Sequence, residues 1–270
     1  MRREILTHPQ QTTPSELAPG VEVALLATGA LGAVGLTTAL ATFRSQSRLP
    51  FHVHPCSEVI ILLEGEATLD VMDRRYLLQQ YDCVHVPAGI PHSVSNLSRD
   101  KPAVLHCSFP CAAPAREEVR FDRSPRECNR SDSTDPERLF RFKTVQEYEL
   151  APQAMFRDLF AARLGVRGIC GGFGLFQSGA SLPLHFHDYD ESITIVQGEA
   201  VCQAENRFYT LKNCDTACIP TIMPHRFLNH SQHPMAMIWV YAGDEPKRTL
   251  VETHVTDLQT KCAGDRSDTT

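Results

Sequence analysis

The stretch Pro50-Phe51-His52-Val53-His54-Pro55-Cys56-Ser57-Glu58 returns 133 residues later as Pro183-Leu184-His185-Phe186-His187-Asp188-Tyr189-Asp190-Glu191. Both copies carry H-x-H followed by a glutamate at the same distance. In an extended strand, residues two apart share a face, so H-x-H aims two imidazoles the same way. Glu58 and Glu191 fall four residues after the second histidine, which on an extended chain keeps them on that face. Working outward, the same offset joins Gly65 to Gly198, Tyr76 to Tyr209, Asp82 to Asp215, Pro87 to Pro220, His92 to His225 and Asn96 to Asn229. Upstream it joins Gly35 to Gly168 and Phe43 to Phe176. One residue drops out after Ser98 and Ser231, and Lys101-Pro102 then matches His233-Pro234. A period this long marks a duplicated domain rather than a solenoid repeat.

The spacing predicts residues 1–112 as a first domain, 113–145 as a linker, 146–262 as a second domain and 263–270 as a disordered tail. The linker reading rests on a run rich in Arg, Asp, Glu, Ser and Pro, most polar at Asn129-Arg130-Ser131-Asp132-Ser133. Each half shows short β-branched or Leu-rich runs with turn signals about every ten residues. This argues for an antiparallel sandwich or barrel. Gly65 and Gly198 suit turns that need positive φ. Gln146 to Leu164 reads as a short helix or as the opening strand of the second domain. The charge-free run Val23 to Phe43 is long enough to span a bilayer. Its Gly, Ala and Thr content and the turn-like Gly29, Gly32 and Gly35 read instead as short strands.

Composition narrows function. The 270 residues carry a formal charge of -6, which speaks against nucleic acid as a partner. Ten cysteines without C-x-x-C spacing read as reduced, mostly buried thiols in a cytoplasmic protein, and no membrane partner is expected. A homodimer is compatible with the sequence. His52, His54, Glu58 and His92 form one candidate metal set, and His185, His187, Glu191 and His225 the other. Imidazole with carboxylate suits a divalent transition ion: Fe, Mn, Zn, Ni or Cu. Two ions per chain are expected.

The pattern G-x5-H-x-H-x3-E-x6-G, followed by G-x5-P-x-G-x2-H-x3-N, resembles the cupin superfamily signature. The first half carries it through His52, His54, Glu58, Gly65, Pro87, Gly89, His92 and Asn96. The second carries it through Gly179, His185, His187, Glu191, Gly198, Pro220, His225 and Asn229. The resemblance implies an all-β chain of two tandem jelly-roll barrels with a metal inside each. Gln46, Tyr81, Cys214 and Ile222 stand where the pattern has glycine. These are turn positions, so they bear on loop shape rather than on ligands.

The superfamily hosts several chemistries, so the fold does not fix the reaction. The leading expectation is Fe(II)-dependent, dioxygenase-type oxidation of a small molecule. An isomerase, cyclase or lyase using the metal as Lewis acid is the alternative, and metal-dependent binding without turnover a third. Asp188, Tyr189 and Asp190 beside His187, and Arg226 beside His225, point to the second site as the catalytic one. Glu191, Tyr189 and Arg226 are its candidate catalytic residues. His85 and His106 read as hydrogen-bonded core histidines.

Overall fold

The computed structural model describes residues 2–212 and 214–251. The expected tail at 263–270 and the second domain's end at 262 lie outside them. Among the described residues the regular structure is all strand, broken only by short 3-10 turns. Among these residues no helix is long and apolar enough to cross a membrane. The run Val23 to Phe43 folds as most of one strand, Val21–Ala27, and the whole of its antiparallel partner, Thr37–Phe43, with the connection between them.

Two tandem barrels result, each a large and a small sheet packed face to face. The first barrel's seven-stranded sheet centres on Glu58–Glu64, Ala103–Phe109 and Thr37–Phe43. The second's centres on Glu191–Gln197, Met235–Tyr241 and Cys170–Phe176. The run Val59–Leu63 is apolar throughout because both of its faces are buried. Ile60 and Leu62 enter the first barrel's core, while Val59, Ile61 and Leu63 pack against Ile238, Val240 and Phe173 of the second. Period-two alternation thus divides one strand between two cores.

Residues 146–164 form a hairpin, Tyr148–Ala151 with Ala154–Phe160, not a helix. Stretch 113–145 departs from a plain linker. Glu117–Glu118, Arg126–Glu127 and Arg138–Phe140 all pair with first-barrel strands. Arg138–Phe140 edges the first barrel's large sheet beside Cys83–Val86. Ile5–Thr7, its counterpart 133 residues earlier, edges the second barrel's large sheet beside Thr216–Ile219. Each repeat therefore lends its first strand to the other barrel.

Ion pairs, one buried and one part-exposed, fix this exchange at matching positions. Glu137 accepts from Arg74 Nε at 2.6 Å, from Arg74 NH2 at 2.8 Å and from the Tyr76 hydroxyl. Glu4 accepts from Arg207 at 2.6 and 2.7 Å and from the Tyr209 hydroxyl. Glu137 is 0% exposed and Arg74 7%. Removing one member of a buried pair strands the other charge, at a cost of roughly 3–5 kcal/mol. Glu137→Ala is expected to lower stability by about that amount in urea unfolding. A loss under about 0.5 kcal/mol would show the pair to be idle.

The four non-glycine positions noted in the sequence all hold the left-handed turn: Gln46 at φ 58, Tyr81 at 66, Cys214 at 67 and Ile222 at 66. The loop shape is kept, at a cost of about 1–2 kcal/mol each. At Gly65 and Gly198, φ is 80 and 71, and a Cβ would strike the carbonyls of Pro102 and Pro234.

His106 lies between the barrels, its Nε2 3.3 Å from Thr194 Oγ1 and its Nδ1 taking Ser108 Oγ at 3.2 Å. Burial pushes it down to about 4, and burial plus Arg138 push His85 to about 4. Both are therefore neutral when folded, whereas the unfolded chain protonates them below about 6.5. The stability they provide is complete above pH ~6.5 and is lost as pH falls towards about 4. Each shift is worth up to about 3 kcal/mol. The urea midpoint of chelator-treated protein is expected to drop across that window. A flat midpoint between pH ~6.5 and ~4 would contradict it.

Candidate metal centres

Each quartet is assembled where the two sheets of a barrel face one another. In the first barrel His52 is the last but one residue of the strand Arg48–Val53, and His54 follows the strand. His92 opens His92–Ser95, directly across from His52 in register. Glu58 does not arrive by strand parity. A turn at residues 55–57 intervenes, and Glu58 opens the strand Glu58–Glu64 of the opposite sheet. The second barrel repeats this, with His185 across from His225 and Glu191 opening Glu191–Gln197. In each quartet the four ligand atoms lie within 4.8 Å of one another, and all eight residues are buried.

The second nitrogen of every ring decides what the first can do. His52 Nδ1 donates to Pro50 O at 2.8 Å, His54 to Ala115 O at 2.6 Å and His92 to Ile90 O at 2.9 Å. His185 donates to Pro183 O at 2.8 Å, His187 to Lys247 O at 2.5 Å and His225 to Met223 O at 2.8 Å. A carbonyl only accepts, so each Nδ1 carries the proton and each neutral ring turns an Nε2 lone pair to the centre. Those lone pairs meet a carboxylate: His92 Nε2 is 2.9 Å and His54 Nε2 3.3 Å from Glu58 Oε2, and His225 Nε2 is 2.6 Å from Glu191 Oε2. Acceptors so placed repel unless a cation lies among them. His187 Nε2 lies 3.3 Å from the same Glu191 oxygen and, among the described residues, has no hydrogen-bond partner. The donor set fits a divalent transition ion.

The electrostatics agree. Burial and the adjacent His92 push His52 down to about 4, and burial with His225 pushes His185 to about 3. Burial opposes ionisation of Glu58, but the imidazoles of His54 and His92 that face it outweigh burial and hold the carboxyl well below its usual range, as a cation among the same groups would. For Glu191 burial likewise opposes ionisation, and the facing imidazoles of His187 and His225 overcome it.

The sequence profile of the Cupin domain matches residues 39–109 and 172–241. The chain belongs to the cupin family. As a two-domain cupin it superposes on the crystal structure of an oxalate decarboxylase–formate complex from Lactobacillus farciminis, with TM-score 0.75 and 14% identity, covering 93% of this chain and 89% of that one. A mutant of the Bacillus subtilis oxalate decarboxylase gives TM-score 0.74 and 14% identity over 91% and 79%. A structure of the same Bacillus enzyme, from work on its Mn(II) centres, gives 0.72 and 13% over 91% and 79%. At such identities the likeness concerns the fold. A comparison with curated protein sequences finds no match.

The polar residues expected around the second cupin quartet do not converge on it. Arg226 alternates away from His225 and donates through Nε to Gln203 Oε1 at 2.7 Å. Asp190 is buried by the N-terminal arm, taking both terminal nitrogens of Arg2 at 2.6 Å and the amides of Val34 and Thr221. Asp188 is exposed. The Tyr189 ring stacks on His187 at 5.6 Å, but its hydroxyl bonds the backbone at Glu245 and Lys247. Tyr189 thus holds the chain segment that orients His187. Strand parity and the exchanged arm override proximity in sequence. Among the described residues no cysteine forms a disulfide.

Two arginines escaped the sequence reading. After its last large-sheet strand, each barrel sends a strap across its mouth: Pro114-Ala115-Arg116 in the first, Pro246-Lys247-Arg248 in the second. The strap carbonyls, Ala115 O and Lys247 O, orient His54 and His187. The next residue, Arg116 or Arg248, lines a cavity. Extending the repeat beyond its one-residue slip exposes this shared P-x-R.

Proposed function

We propose that the chain is a metal-dependent enzyme that transforms a small organic acid at the first quartet. One observation carries this reading: a cavity of about 180 Å³ whose wall includes His52, His54, Glu58 and Arg116. Arg116 NH1 is buried without a hydrogen-bond partner, and its guanidinium joins no ion pair among the described residues. The remaining wall is mainly apolar, with Leu25, Ala39, Leu49 and Phe109. A carboxylate paired with Arg116 sets the substrate's apolar body against that wall and its reactive end towards the quartet.

Four protein ligands leave positions free on a five- or six-coordinate ion. Bound there, Fe(II) or Mn(II) supplies Lewis acidity and one-electron redox capacity. The chain contributes the rest. Ala115 O, Pro50 O and Ile90 O hold the imidazoles, Glu58 supplies negative charge, and the apolar wall excludes water. Fe(II)-dependent, dioxygenase-type oxidation is the leading chemistry. Redox-neutral cleavage is the second, favoured by the likeness to decarboxylases with Mn(II) centres. The unpaired thiols support a reducing, cytoplasmic setting.

The test supplies Fe(II)- or Mn(II)-loaded protein with short-chain oxo, enolic and dicarboxylic acids, following oxygen uptake and carbon dioxide release. Substrate-dependent oxygen consumption supports oxidation. Carbon dioxide without net oxygen consumption supports cleavage. Silence in both, with metal bound, points to a binding module. Arg116→Gln raises KM more than it lowers kcat if Arg116 holds the acid.

A further inference from the structure

The second barrel carries a larger pocket, about 470 Å³, that the quartets leave unused. It is the repeat counterpart of the first cavity, reworked by substitution. Where the first barrel has Val23, Cys107 and Phe109, the second has Phe156, Trp239 and Tyr241. None of the quartet residues lines this pocket. Tyr241 does, and its ring packs 4.4 Å from His187. The bulkier rings fill the inner space and leave an outer, aromatic-walled chamber, to which Tyr148 also contributes.

The polar groups of that chamber are unevenly matched. Asp158 and Glu245 are engaged, Asp158 with Arg163 and the Tyr148 hydroxyl, Glu245 with Arg163 at 2.5 Å. Among the described residues Lys247 and Arg248 join no ion pair, so net positive charge remains. Trp239, 2% exposed, adds its ring to the chamber wall. The volume falls in the range of ordinary ligand pockets, unlike the first cavity.

We propose that this pocket binds a planar aromatic carboxylate. The ring lies among Tyr148, Phe156 and Trp239, and the carboxylate pairs with Arg248. The site is separate from the quartet and holds its ligand without metal. Lys247 ties it to the second quartet, since its carbonyl orients His187.

Trp239 is the only tryptophan in the chain, so indole fluorescence reports on this pocket alone. The experiment titrates the full chain, with and without Mn(II), with benzoate and with the neutral isostere benzamide. Benzoate is expected to change the emission saturably and to bind about tenfold or more tightly than benzamide. Arg248→Gln should weaken benzoate about tenfold or more, Arg248→Lys less, and Arg116→Gln not at all. The proposal is overturned if no saturable change occurs, if benzamide binds as well as benzoate, or if the Arg116 variant loses binding while the Arg248 variants keep it. Retention of wild-type emission by the apo Arg248→Lys variant shows that the barrel is folded.

Discussion

Chelator-stripped chain reloaded with Mn(II), Fe(II) or Zn(II) and freed of excess metal is expected to hold close to two ions. Both quartets are complete and buried, and both have three rings fixed with Nε2 inward. His52→Ala with His54→Ala should leave one ion, and His185→Ala with His187→Ala the other. All four substitutions together should leave none. Each ion should also raise the unfolding temperature, since binding to the folded state alone is stabilising. Elemental analysis of the four proteins decides the matter. Trace metal in the parent chain under every loading condition would remove the site reading altogether.

The second large effect concerns the division of labour. Once a substrate is found, Glu58→Gln is expected to lower turnover by about 100-fold or more, exceeding the loss typical of outer-shell changes. Glu191→Gln should leave most of it. The basis is access: Glu58, His52 and His54 line an open cavity, while the second pocket stops at Tyr241. The substitutions are nearly isosteric, and metal content measured alongside separates lost ligation from lost chemistry. The opposite ranking, with Glu191 essential and Glu58 dispensable, would return catalysis to the second barrel. Equal losses would mean that both barrels turn over.

Sequence spacing bears unevenly on these expectations. The eight ligand positions were legible because histidine is scarce and the set recurs at one offset. Asn96 and Asn229 were legible for the same reason, and each amide closes an equivalent turn, onto Phe43, Arg44 and Lys101 or onto Phe176, Gln177 and His233. The strand exchange was not. Glu4 and Glu137 do share the 133-residue offset, but one glutamate pair in a charged stretch is a weak signal beside two H-x-H triplets. Residues 113–145 looked like linker because their polar side chains answer partners far away in sequence. Glu137 with Arg74 and Arg141 with Asp82 are examples.

The sequence by itself determined the duplication, the all-β class and the donor residues of each candidate centre. These follow from local spacing and residue chemistry, which survive in any register the chain adopts. Only the tertiary structure decided which charged neighbours face a centre. Asp190, Tyr189 and Arg226 sit beside ligands in sequence, yet one is bonded to Arg2, one to a strap and one to Gln203. Arg116 is 58 residues from Glu58 and lines the same cavity. Side-chain direction depends on strand parity, and pairing depends on which distant segment packs on each face; neither is encoded in distance along the chain.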